Sequence, residues 1–81
     1  MNFTAEEGRV SQIMSESEFF KDIKDKELFS RKLIKVYCID IGKELRKMDL
    51  WLWANPNKRY RNYKRFIVNW IARKDLPYGK Y

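Results

Sequence analysis

The sequence predicts a small all-α domain with a long central helix and a C-terminal helical hairpin, and three features carry that expectation. Only three glycines and two prolines interrupt 81 residues, which leaves long stretches of Lys, Glu, Leu, Ile and Arg, good helix formers for the most part. Apolar residues recur at steps of three and four, the spacing that gathers side chains on one helical face. Hydrophobic residues make up 44% and aromatics 16%, enough apolar material for a core and too much for a disordered chain. At about 0.05 to 0.15 kcal/mol per residue the fold is worth only about 4 to 12 kcal/mol, so every large apolar side chain matters. The chain reads as a single domain spanning 1–81.

Residues 1–26 are acidic and predict two short helices. Thr4 followed by Glu7 fits a capping box ahead of Val10, Ile13 and Met14. Ser15 followed by Glu18 fits another, opening a helix that carries Phe19, Phe20 and Ile23. From Glu27 the apolar positions Phe29, Leu33, Tyr37, Ile41, Leu45, Met48 and Leu52 continue at steps of four or three, which predicts one long helix over 27–54. The β-branched run "VYCIDI" and Gly42 oppose it, so a strand or a break near 36–42 is the competing reading. Pro56 stops the helix, because proline disfavours α geometry in the preceding residue and lacks a backbone donor. A basic helix over 60–74 then places Tyr63, Phe66, Ile67, Trp70 and Ile71 on one face, and "KDLPYGKY" leaves a tail at 75–81.

Charge divides the chain. Residues 1–30 hold four basic and seven acidic side chains, whereas residues 31–81 hold 14 basic and four acidic, for an overall net charge of +7. A basic C-terminal half favours nucleic-acid phosphates, anionic membrane or an acidic protein surface. The acidic N-terminal third is a candidate internal cover for it. There is no histidine and one cysteine, Cys38, so an internal disulfide, a Cys and His zinc cage, and Cys-His or Ser-His nucleophilic pairs are excluded. Cys38 is expected to be a small buried hydrophobe. With no Gly-rich phosphate loop and no acid and base pair, catalysis, cofactor and metal are not expected. Asp40 and Glu44, one turn apart with Lys43 and Lys47 nearby, read as a solvated face with local ion pairs. The N-terminus lacks a basic start and an apolar run, and no stretch of about 18 apolar residues is present, so the expectation is a cytoplasmic protein that does not use a membrane.

The strongest functional signal is the turn and helix start at 58–65. Lys58, Arg59, Arg61, Lys64 and Arg65 fall within eight residues, interleaved with Tyr60 and Tyr63, where free helix N–H groups also favour anions. Arg73 extends the set at the far end of the same helix. Cations meet phosphates, and a tyrosine beside them stacks on an unpaired base. Trp51 and Trp70 belong to apolar faces and are expected in the core. Trp53 points away from Trp51 and is the tryptophan expected at a surface or a partner interface, with Phe19 and Phe20 as companion anchors. Asn69 is expected to bond to the turn backbone.

The stretch "IGKELRKMDLWLWANPNKRYRNYKRFIVNWIAR" resembles a segment near the C-terminus of phage and prophage replication proteins, those that organise the replisome or load the helicase. The resemblance rests on Glu44, Met48, Trp51, Leu52, Asn55, Pro56, the cations Lys58 to Arg61, Tyr63, Phe66, Ile67, Asn69, Trp70, Ile71 and Arg73, over about 33 of the 81 residues. It implies a helical hairpin that works beside replication machinery on DNA, and an origin in a phage or mobile element. In that family the segment usually ends a longer chain, and residues 1–35 carry no part of the likeness. The expectation is therefore a small DNA-binding or replication-accessory protein. The alternatives are a module or inhibitor docking on a larger replication or host nucleic-acid enzyme, or on a host defence complex, through Trp53, Phe19 and Phe20, and single-stranded nucleic acid held by Tyr60 and Tyr63.

Overall fold

Thr4 starts the first helix as its sequence predicts. Its hydroxyl accepts from the Glu7 backbone N–H at 3.1 Å while the Glu7 carboxylate accepts from the Thr4 N–H at 2.9 Å, so two otherwise unpaired donors are satisfied reciprocally. In the computed structural model, which describes residues 4–74, four helices follow: α1 (Ala5–Glu16), α2 (Lys26–Val36), α3 (Ile41–Ala54) and α4 (Tyr63–Lys74). No strand occurs among the described residues, and the expected tail at 75–81 lies outside them. The fold class is all-α.

Two expected helices are revised. The helix expected from Ser15 is instead a series of turns over 17–25. Ser17 is the cause, because its hydroxyl accepts from the Phe19 and Phe20 backbone N–H groups while donating to the Asp49 carboxylate at 2.6 Å. A side chain that takes local backbone donors competes with helix propagation. The segment ends at Asp25, which holds a left-handed φ of 56° at the start of α2.

The long helix expected over 27–54 is broken at residues 37–40, as the competing reading allowed. Tyr37 is extended at φ −111°, ψ 140°, and Asp40, also extended, caps α3 by accepting from the Lys43 N–H at 3.1 Å. The apolar spacing runs through the break because Leu33 on one side and Ile41, Leu45, Met48 and Leu52 on the other each face the same core. Gly42 thus sits in the first turn of α3, where a Cβ would lie 3.0 Å from the Ile13 Cδ1 of α1. The break also leaves Cys38 exposed, contrary to expectation.

Helix α1 packs on α2 and α3, and α4 packs on α3. The shared core holds Val10 and Met14 of α1, Phe20 of the turn segment, Leu33, the α3 row, and Ile67 and Ile71 of α4, all 3% exposed or less. Three polar links hold the layers in register. Arg31 of α2 meets Glu7 of α1 at 3.3 Å, Ser17 meets Asp49 of α3, and the Trp70 indole N–H of α4 donates to Glu44 of α3 at 2.9 Å. The Thr4 backbone N–H, and after it the Arg31 guanidinium, hold the Glu7 carboxyl below its ordinary range against the opposing effect of desolvation.

Candidate functional site

The α3–α4 turn is built by asparagines. Asn55 folds its side chain back to donate to the Trp51 carbonyl at 2.7 Å, its own carbonyl accepts from the Lys58 N–H at 2.9 Å, and Pro56 between them prevents α3 from continuing. Seven residues on, the Asn62 side-chain amide oxygen accepts from the Arg65 N–H at 3.1 Å and caps α4. Residues 55–62 are therefore pinned at both ends, and the cations between them project from a defined loop.

Lys58, Arg59, Arg61 and Arg65 are exposed, and none forms an ion pair among the described residues. Lys64 is half-buried and lies over the Phe29 ring of α2 at 5.6 Å, a cation–π contact that ties the start of α4 to α2. Arg65, Asn69 and Arg73 stand at successive four-residue steps on the outer face of α4, so Arg73 lies about 12 Å along the axis from Arg65. Asn69 is exposed on that stripe, which corrects its expected bond to the turn backbone.

Aromatic rings support this surface from beneath. Tyr60 is 38% exposed and rests on Phe66 at 4.7 Å between centroids, with Tyr63 edge-on at 6.0 Å. Tyr63 in turn meets Phe19 and Phe20, and Phe66 meets Trp51 and Trp70. Tyr60 is the most exposed ring of this cluster of tilted and edge-on contacts. Tyr63 is half-buried and serves the core, so the two expected stacking tyrosines are unequal.

Of the three expected partner anchors, Phe20 is removed from the surface. It is wholly buried, because the Ser17 turn directs it inward against Tyr63. Phe19 is half-buried at the edge of two clefts: one of about 320 Å³ with Asp22, Ile23, Lys24, Arg61, Tyr63 and Lys64 on its walls, and one bordered by Glu18, Trp53, Pro56 and Arg59. Trp53 is 70% exposed, as expected, while Trp51 and Trp70 are half-buried against the core. Asp22 and Glu18 thus border the clefts that Arg61 and Arg59 line, without an ion pair among the described residues.

Asp40 is exposed and Glu44 forms the local ion pair, but Glu44 is not solvated as expected. Asp40 caps α3, and Glu44 is buried between the Trp70 indole and the Lys47 ammonium at 3.4 Å. Sequence reasoning missed the Glu44–Trp70 bond, whose only trace was an acidic residue on the apolar side of α3. No family model, curated protein or solved structure matches the chain.

Proposed function

We propose that this chain is a small nucleic-acid-binding protein of the replication-accessory kind, acting by binding rather than catalysis. The observation that carries the reading is the α3–α4 turn and helix start, where four exposed cations without carboxylate partners among the described residues lie within eight residues of sequence that include the part-exposed Tyr60, itself packed on Phe66. Phosphates meet Lys58, Arg59, Arg61, Lys64 and Arg65, with Arg73 further along α4, and an unpaired base stacks on Tyr60. The resemblance of the α3–α4 segment to phage replication proteins supports the same assignment and makes DNA the expected ligand.

Titration of labelled duplex and single-stranded 20-mers tests it. Five phosphate contacts give a duplex slope of log affinity against log salt of about −4.5, so binding weakens roughly 500-fold between 50 and 200 mM salt. Replacing Arg59, Arg61 and Arg65 by Ala lowers that slope by about 2.7 and leaves the melting temperature nearly unchanged. Tyr60→Ala costs about 1 to 3 kcal/mol on the single strand and little on the duplex. Absence of binding to either probe at 50 mM salt refutes the assignment.

A further inference from the structure

A second surface runs along α3 and reaches the turn only at Trp53, which also borders the Arg59 cleft. Lys43, Arg46, Leu50 and Trp53 follow at steps of three, four and three, so they share one outward stripe of α3. The apolar end is unusually bare: Leu50 is 66% and Trp53 70% exposed. Beside the cationic end, Arg9 and Ile13 of α1 meet Gly42, Lys43, Arg46, Lys47 and Leu50 to enclose an open groove of about 480 Å³. Gly42 makes the groove floor, since a side chain there would press on Ile13.

The groove's charge is one-sided. Arg9, Lys43 and Arg46 form no ion pair among the described residues, and Lys47 meets only Glu44 at 3.4 Å. The one carboxylate on its wall, Asp40, accepts the Lys43 backbone N–H as the cap of α3. An aliphatic floor of Ile13, Gly42 and Leu50 flanked by four cations matches an amphipathic segment with apolar residues on one side and carboxylates along its edges. A phosphate backbone offers nothing to the floor or to Leu50. A second copy of this chain would bring another molecule of net charge +7, and the acidic helix it carries, α1, already has Val10 and Met14 buried in its own core.

We infer that the α1–α3 groove, with Leu50 and Trp53 at its end, docks an acidic amphipathic helix of a partner protein. The docking uses none of the cations assigned to nucleic acid at the α3–α4 turn. Apolar residues of the partner at i, i+3, i+4 and i+7 lie on Ile13, Leu50 and Trp53, and its Asp or Glu residues face Arg9, Lys43 and Arg46.

A displayed library of random 16-residue peptides, selected on the full chain, tests the inference. The selected peptides are expected to be enriched in Asp and Glu with apolar residues at helical spacing. Their affinity, measured by anisotropy, falls at least tenfold on Leu50→Asp and on Arg46→Glu. Circular dichroism checks that both variants stay folded, which the exposure of the two side chains favours, and 20-mer DNA affinity is unchanged by Leu50→Asp. Four results overturn the inference: no enriched peptide; enriched peptides lacking acidic residues; indifference of the peptides to Leu50→Asp; or loss of DNA binding in that variant, which would make the groove part of a nucleic-acid surface. Sedimentation showing a dimer that Leu50→Asp dissociates would also overturn it, by placing a second copy on the face.

Discussion

Removing the Glu44 carboxylate should weaken the packing of α4 on α3. The Glu44 side chain is 10% exposed and accepts from the Trp70 indole N–H at 2.9 Å. A hydrogen bond to a charged acceptor is worth about 1.5 to 3 kcal/mol, and the half-buried indole can recover part of that from water, so Glu44→Ala should cost about 2 kcal/mol. In a domain of this size that corresponds to a melting temperature lower by roughly 8 to 16 °C. The Lys47 contact adds little, because the lysine side chain is 49% exposed. Glu44→Gln keeps a carbonyl acceptor and should lose only about half as much. Thermal unfolding by circular dichroism gives the single losses, and a double-mutant cycle with Trp70→Phe isolates the pair, with an expected coupling of about 1 to 2 kcal/mol. A Glu44→Ala protein melting within about 2 °C of the parent, or strictly additive losses in the cycle, would refute the bond as the link between the two helices.

Three further outcomes follow from the same geometry. Phe20→Ala empties the centre of the core and should cost about 3 to 5 kcal/mol, a large part of the whole stability, read by urea unfolding. Glu7→Gln removes a carboxylate whose folded-state pKa lies below the ordinary value. The stability it contributes is present at neutral pH and lost as pH falls through that lowered value, so the parent and the variant should differ at pH 7 and converge in acid. A difference that persists unchanged to strongly acidic pH would count against the cap and the Arg31 pair. Gly42→Ala gains up to about 1 kcal/mol of helix propensity, and the Ile13 methyl it meets at 3.0 Å borders an open groove into which it can turn, so the variant should melt at or above the parent temperature. Gly42→Val should melt lower.

How far the fold is legible in the sequence depends on whether its determinants are local. The Thr4 and Glu7 cap of α1 and the apolar face of α4 are local patterns, and both were readable. The break at 37–40 was legible only as the competing reading, from the β-branched run and Gly42, because Leu33 and Ile41 keep the same register toward the core on either side of it. Asp40 held the relevant signal, a capping residue one position before Ile41, but periodicity alone gave it no weight. Ser17 is harder still: its preference for turns is visible, yet the Asp49 carboxylate that fixes its hydroxyl comes from 32 residues away. For the candidate site, the exposed cations and Trp53 were legible from spacing. The burial of Phe20 beside a half-buried Phe19 depends on that same distant serine bond, so adjacent residues in one motif took different roles.

The field around the α3–α4 turn follows from where the carboxylates are spent. Residues 55–74 contain seven Lys or Arg residues and no Asp or Glu. The three described carboxylates of the basic half all belong to α3 or its cap, and each has an internal partner: Asp40 on the Lys43 N–H, Glu44 on the Trp70 indole and Asp49 on the Ser17 hydroxyl. Two acidic groups, Glu18 and Asp22, border its clefts from the 17–25 segment without closing on an arginine among the described residues. Holding them there depends on Ser17, whose bond to Asp49 fixes where that segment lies. Ser17→Ala should therefore do more than lower stability by about 1 kcal/mol. By loosening the segment that carries Glu18 and Asp22, it should also change the affinity of the turn for a polyanion. A heparin titration of the variant at a temperature where it is folded reads this, and an unchanged salt slope and affinity would show that the 17–25 carboxylates do not tune the basic surface.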